Sequence, residues 1–212
     1  MTVQVQRRDA VATIVLDRPD ALNAVNAELA GQLQRAVTDA AGDDGVRAIV
    51  LTGGGRAFCS GADLKGGGIT LGPDGLPDLA KGLREGAHPI VEALRSAPKP
   101  VVASVNGPAV GIGLSFALAC DLVIAARSAY FLLAFVNIGL APDGGASFLI
   151  PERIGFARAA EMAMLGERVP AEKALEWGLI NEVVPDEELQ RRTDALADRL
   201  ARGPTRSYAA TK

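Results

Sequence analysis

Twice along this chain an apolar strand runs straight into a turn of glycine and other small residues, and this repeat restricts the fold more than any other feature. The first strand, Val46 to Leu51, leads into Gly53-Gly54-Gly55-Arg56-Ala57-Phe58-Cys59-Ser60-Gly61-Ala62-Asp63-Leu64. The second, Val101 to Val105, leads into Asn106-Gly107-Pro108-Ala109-Val110-Gly111-Ile112-Gly113 and then into a helix. Short apolar runs bounded by turn residues predict buried strands, and the small residues after them let backbone come very close to a ligand.

The rest of the chain reads as alternating strands and helices. Val3 to Arg7 and Val11 to Leu16 alternate apolar and polar residues on either side of Arg8-Asp9-Ala10, the pattern of a hairpin, and Arg18-Pro19-Asp20 turns the chain after it. Leu29, Leu33, Ala36, Val37 and Ala40 recur at helical spacing, which predicts a helix from Ala27 to Ala41 with Gly42 placed to end it. Gly66-Gly67-Gly68 through Pro77 has little capacity to pack and reads as a mobile loop. Leu79 to Arg95 reads as a helix kinked near Pro89. Gly111 to Cys120 reads as a buried helix and Asp121 to Ala126 as a strand, with further helices at Phe156 to Leu165, Ala171 to Trp177 and Asp186 to Arg202. The alternation predicts an α/β fold. Pro204 to Lys212 resembles the opening turns of one more helix, cut off without a stop signal, so the expected division is a core over 1–200 and the start of a C-terminal helical region over 201–212, its remainder absent.

Composition removes several classes of function. With 212 residues, 49% of them apolar, the chain can bury one sizeable core. Its formal charge of −3 provides no general basic field, so neither nucleic acid nor an anionic membrane is an expected partner. Two cysteines and one histidine make neither a disulfide framework nor a metal-ligand cluster. The N-terminus has no apolar h-region or small-residue cleavage site, and the apolar stretch from Val101 to Leu140 is divided by Asn106, Ser115, Asp121, Arg127 and Asn137 into runs too short to cross a bilayer. A cytoplasmic protein with a metal-free site is the expectation.

Two strand-to-helix turns can present free backbone N–H groups to a single oxygen, and a helix N-terminus adds favourable dipole charge for an anion. At this point the sequence resembles the crotonase superfamily of enoyl-coenzyme A hydratases and isomerases. The resemblance rests on an ordered set: Arg18-Pro19 with Ala21-Leu22-Asn23-Ala24, then Phe58 to Leu64, Ala103 to Asp121, and Trp177-Gly178-Leu179-Ile180-Asn181 before a strand. What it implies is a ββα spiral core with a helical C-terminal region, assembly as a homotrimer or a dimer of trimers, and an acyl-CoA substrate. It also implies an oxyanion hole of backbone N–H groups, which map onto Ala62 and Ile112. Gly61, Asp63, Leu64, Gly111, Phe135 and Ala24 map beside the substrate, and Arg18 and Lys65 are candidates for the coenzyme phosphates. No redox cofactor is implied, because coenzyme A is part of the substrate.

Removing a proton beside a thioester carbonyl puts negative charge on its oxygen, and one fixed donor aimed at that charge is worth about 10²–10³ in rate. A base is still required. In the hydratases two glutamates handle water and proton, and the matching positions here are Ser115 and Phe135, neither of which can hold a carboxylate. A carboxylate follows a few residues later, in Gly139-Leu140-Ala141-Pro142-Asp143-Gly144-Gly145-Ala146-Ser147. That pattern is similar to the isomerase branches of the family, including ring-epoxide isomerases of phenylacetate degradation, where a carboxylate here is the proton shuttle. Asp143 is therefore the candidate acid–base group, with Phe131, Leu133, Phe135 and Ile138 as the apolar residues expected to raise its pKa.

The same residues carry plainer readings. Asp143 between proline and glycine is also a good turn former, and Gly111-Ile112-Gly113 lacks the third glycine and the acidic residue of a dinucleotide site. His88 is set aside as a surface or packed residue, and Cys59 and Cys120 as small core residues. The rivals to an isomerase are a hydratase, a dehalogenase-like hydrolase using Asp143 as nucleophile, and a protein of the same fold that binds acyl-CoA without catalysis.

Overall fold

The computed structural model describes residues 1–64, 75 and 78–212. A six-stranded sheet forms its centre, in the order β1-β2-β3-β4-β6-β9, from β1 (Val3–Arg8), β2 (Val11–Leu16), β3 (Ala48–Gly53), β4 (Val101–Val105), β6 (Leu122–Ala126) and β9 (Glu182–Val184). The hairpin β1-β2 is antiparallel and every later pair in this sheet is parallel. Beside it lies a three-stranded sheet in the order β5-β7-β8, made of β5 (Ala109–Val110), β7 (Tyr130–Leu132) and β8 (Val169–Pro170). Two passes of the chain, β4 then β5 and β6 then β7, each add one strand to the large sheet and one to the small sheet before a helix returns.

The helices are α1 (Ala27–Gly42), α2 (Leu79–Gly82), α3 (His88–Ser96), α4 (Ile112–Ala119), α5 (Ala146–Leu165), α6 (Ala171–Glu176), α7 (Leu189–Arg202) and α8 (Thr205–Thr211). Asn26 caps α1 by accepting from Leu29 N at 2.9 Å, and the predicted stripe of Leu29, Leu33, Ala36, Val37 and Ala40 is the face it buries. Its C-terminal end is satisfied from afar: the buried Lys99 ammonium donates to the carbonyls of Ala40 and Asp43, and burial pulls its pKa down. All five residues of β4 and all eight of α4 are buried, so this strand and helix form the middle of the core. Among the described residues no helix is long and apolar enough to cross a membrane.

Several boundaries differ from those the sequence predicts, each for a local reason. Gly42 is the last residue of α1, and the helix ends at Asp43, whose backbone is extended. The strand expected from Val46 runs from Ala48 to Gly53. The irregularity near Pro89 lies before it: Leu83–Ala87 is a π-helical turn that runs directly into α3, which carries the proline as its second residue. The helix expected from Phe156 to Leu165 is the second segment of α5, after a break at Gly155 (φ 75°, ψ 165°), and the segment before the break, from Ala146 with Pro151 inside it, is the addition. Strands β5, β7 and β8, two or three residues each, are too short to show a period. The loop expected from Gly66 to Pro77 lies, apart from Gly75, outside the described residues.

Arg153, in the last turn before that break, reaches across to the far end of α4. Its guanidinium donates to Leu118 O at 2.7 Å, Cys120 O at 3.1 Å and Leu179 O at 3.1 Å, closing carbonyls that the end of α4 leaves without a partner. Arg153→Met is expected to lower unfolding free energy by about 2–3 kcal/mol, since partly buried carbonyls are left unsatisfied. Urea denaturation followed by circular dichroism measures this.

Candidate active site

The turn after β3 and the turn after β4 meet at the C-terminal edge of the parallel strands, where α/β sheets open their ligand crevices. They are stitched by a short parallel bridge: Cys59 N donates to Pro108 O at 3.0 Å and Val110 N to Cys59 O at 2.9 Å. Two glycines at this junction have no room for a side chain of their own. A β-carbon on Gly107 would lie 2.3 Å from Arg56 O, and one on Gly113 would lie 2.5 Å from Cys59 O. Gly61 and Gly111 face each other so closely that a β-carbon on either would stand 4.0 Å from the other's Cα.

Backbone direction then follows from two left-handed glycines. Up to Ser60 the chain alternates regularly, Cys59 facing Ala109 while Ser60 N donates to Leu22 O at 3.0 Å on the other side. Gly61 (φ 97°) breaks the alternation, so Gly61 O accepts from Val25 N at 2.8 Å and Asp63 N donates to Val25 O at 2.9 Å. In such a pairing the residue between points its N–H the opposite way, which turns Ala62 N away from Val25. Gly111 (φ 54°, ψ −123°) does the same for α4: its own N–H is used by Leu132 O at 2.8 Å, while Leu114 N and Ser115 N return to Gly111 O. Ile112 N, at the first position of α4, has no backbone acceptor among the described residues, and neither does Ala62 N. Ala62 is exposed and Ile112 buried, so the pair lies at the mouth of the crevice with a helix dipole behind it.

Asp143 stands over the first turn of α4. Between the 3₁₀ turn Ala134–Ile138 and α5, the chain passes through Gly144 (φ 56°) and Gly145 (φ 83°), and a β-carbon on Gly144 would lie 2.1 Å from Ile112 Cδ1 and 3.3 Å from Ser115 Cβ. Ser115, fully buried, donates its hydroxyl to the Asp143 backbone carbonyl at 3.2 Å. Asp143 Oδ1 is buried and has no hydrogen-bond partner among the described residues. Burial pushes this carboxyl above the ordinary carboxylate range, and the nearby His88 partly offsets the rise.

His88 is therefore the residue that sequence reasoning set aside and the fold brings in. It begins α3, one turn before Val91, whose Cγ1 lies 3.6 Å from a β-carbon placed on Gly145. Of the apolar residues expected around Asp143, Phe131, Leu133 and Phe135 are buried, but Ile138 is exposed. Phe135 reaches the Gly111 turn, its Cζ 3.9 Å from a β-carbon there. Ala24 and Gly61 are buried at the same junction, and Leu64 projects into solvent.

Arg18 is not an unengaged cation awaiting a phosphate. Its guanidinium pairs with Asp63 at 2.9 Å and donates to Ala24 O, with both side chains largely covered. Lys65, the other phosphate candidate, lies outside the described residues. Burial pushes the Cys59 thiol up to about 12 and that of Cys120 higher still, so neither is a thiolate nucleophile near neutral pH. Among the described residues no three His, Cys, Asp or Glu side chains converge as a metal site.

The fold and the sequence are shared with known proteins. Residues 6–212 match the family model described as enoyl-CoA hydratase/isomerase. A Rhodobacter capsulatus protein named as a probable enoyl-CoA hydratase is 46% identical over 211 residues, covering 100% of this chain and 79% of its own. The Escherichia coli 1,2-epoxyphenylacetyl-CoA isomerase is 44% identical over 196 residues, covering 92% of this chain and 74% of its own. The crystal structure of a putative enoyl-CoA hydratase from Streptomyces coelicolor superposes with a TM-score of 0.91 at 36% identity, covering 100% of this chain and 77% of that one.

The raised Asp143 pKa fixes the sign of a stability effect. The folded chain holds that proton more tightly than the unfolded chain, so its stabilising contribution is present at low pH and is lost as pH rises through the folded value. Asp143→Asn is expected to melt above the unsubstituted protein at neutral pH, with the gap closing as pH falls toward about 4. Thermal unfolding of both proteins at matched pH tests it, and a lower melting temperature for Asp143→Asn at neutral pH would contradict it.

Proposed function

Because the chain belongs to the enoyl-CoA hydratase/isomerase family, we propose that it shifts the double bond of an unsaturated acyl-CoA, a 3-enoyl thioester or its ring analogue. The proposed roles are Ala62 and Ile112 N–H as oxyanion donors and Asp143 as the group that moves the proton. Coenzyme A enters as part of the substrate, and the reaction calls for no metal or redox cofactor.

The observation that carries this reading is the Asp143 carboxylate oxygen, buried without a partner among the described residues over the helix turn that presents Ile112 N. A desolvated carboxylate with a raised pKa is a stronger base than one in water. Asp143 takes the proton from Cα, the electron pair moves onto the thioester oxygen facing the two N–H groups, and the protonated acid returns the proton at Cγ. The double bond ends conjugated to the carbonyl and the carboxylate is regenerated. One acid–base group suffices. Addition of water by the two-glutamate mechanism is disfavoured, because Ser115 at one of those positions is engaged with the Asp143 carbonyl and Phe135 at the other is apolar.

The resemblance also suggests a homotrimer or a pair of trimers. Phe148, Phe156, Met164 and Leu165 of α5, with Val136 and Ile138 before it, are large apolar side chains left exposed on the single chain. Light scattering of the purified protein reads the assembly directly.

Activity is tested on a panel of 2-enoyl, 3-enoyl and aromatic-ring CoA thioesters followed by absorbance. Turnover is expected with 3-enoyl or ring substrates, and Asp143→Asn is expected to lower kcat by about 10²–10⁴. The kcat of the unsubstituted enzyme should rise with pH through a value above the ordinary carboxylate range. Hydration of 2-enoyl-CoA unaffected by Asp143→Asn would overturn the reading, and a covalent adduct on Asp143 in mass spectrometry would replace it with a hydrolase.

A further inference from the structure

We propose that the Arg18–Asp63 ion pair is a positioning device for the oxyanion donor Ala62, holding the direction of that N–H, and that Arg18 does not bind the coenzyme phosphates. This rests on the proposed role of Ala62.

Residues 18–25 lie as a strap across the turn after β3. Arg18 is held at its own backbone, its N–H donating to Asn23 Oδ1 at 2.8 Å and its carbonyl accepting from Ala21 N and Asn23 N. Asn23, fully buried in the left-handed region (φ 56°), donates its amide to Gly54 O at 2.9 Å and Ala57 O at 2.8 Å. Asparagine tolerates that backbone conformation better than most side chains, so one residue fixes both the strap and the start of the turn. The strap then makes three backbone bonds to the segment carrying Ala62: Ser60 N to Leu22 O, Val25 N to Gly61 O, and Asp63 N to Val25 O.

Those bonds fix the carbonyl before Ala62 and the N–H after it. Because the 61–62 peptide is planar, the bond from Val25 N to Gly61 O sets the direction of Ala62 N–H, and that direction is only as firm as the hold of the strap on the segment. Arg18 tightens this hold, since one guanidinium nitrogen donates to Ala24 O on the strap and the other holds the Asp63 carboxylate at 2.9 Å. A planar guanidinium spans both partners at a set separation, which a lysine point charge cannot do. With side-chain exposures of 21% for Arg18 and 13% for Asp63, the pair is shielded from water, unlike the other Arg–Asp pairs at the surface.

An oxyanion donor is useful only when it points at the charge as it develops, and small misplacements of a preorganised group cost rate far more than they cost substrate binding. The test combines kinetics with the infrared carbonyl band of a bound, isotope-labelled 3-enoyl-CoA analogue, in the full-length protein. The band should shift to lower frequency on binding to the unsubstituted enzyme. In Arg18→Met and in the near-isosteric Asp63→Asn it should move part of the way back, with kcat down about 10–100-fold and KM within about threefold. The double variant should lose less than the product of the two single losses, because both break the Arg18–Asp63 contact.

Should Arg18→Met fail to fold, Asp63→Asn carries the same comparison. Unchanged kcat and unchanged band shift in the folded variants would overturn the inference while leaving the proposed function standing. A rise in KM for the CoA thioester that disappears with the 3′-dephospho-CoA thioester would also overturn it, by assigning Arg18 to the coenzyme. If the band does not shift in the unsubstituted enzyme, the oxyanion role of Ala62 itself fails.

Discussion

Where the turn after β3 meets the turn after β4, backbone lies on backbone at Gly107 and Gly113 packs against Cys59, because neither glycine has room for a β-carbon. Everything catalytic in the proposed site is referred to that contact. It sets the distance between the two strand ends, and with it the separation of Ala62 and Ile112. It also seats α4, whose eight buried residues join the turn to the centre of the core. A donor pair made of backbone cannot be adjusted by a rotamer change, so its geometry is as stiff as the packing beneath it.

That stiffness is shared by distant parts of the chain. α4 is gripped at its N-terminal end by the Asp143–Gly144 loop lying on Ile112 and Ser115, and at its C-terminal end by Arg153 from the same stretch of α5. The proton-transfer candidate and one of the two donors are thus fixed by a single helix pair. The other donor depends on the strap from Arg18 to Val25, which approaches from the opposite side. The site lies between two independently anchored pieces of backbone, and the Cys59–Ala109 bridge is what joins them.

How much of this was legible in the sequence follows from the range of each interaction. Strands β1, β2, β3, β4 and β6 and the stripe on α1 could be read from period and composition, because burial there repeats over a whole element. The two glycine turns could be read because small residues cluster locally. Strands β5, β7, β8 and β9 are too short to carry a period, and Pro151 hides the segment of α5 before the break at Gly155, since its packing against α4 is not local. Resemblance to a known family pointed to Asp143, but its burial depends on Ile112 and Ser115, far away in sequence. The pairing of Arg18 with Asp63, the reach of Arg153 and the approach of His88 are all long-range contacts, and nothing in the local sequence of those residues announces them.

The unpartnered oxygen of Asp143 makes physical sense only against function. A buried acceptor without a donor is costly, and a fold selected for stability alone would place a hydroxyl or amide beside it. Ser115 packs under the same loop, and its hydroxyl goes to the backbone carbonyl of Asp143. The serine therefore locks the loop in place while leaving the carboxylate free to exchange a proton. Had the hydroxyl bonded to Oδ1, it would have stabilised the anion, lowered its pKa and weakened it as a base. Under the proposed chemistry, local instability at Asp143 and basicity toward a carbon acid are one property, tolerated because Gly144, Gly145 and α5 hold the loop from either side.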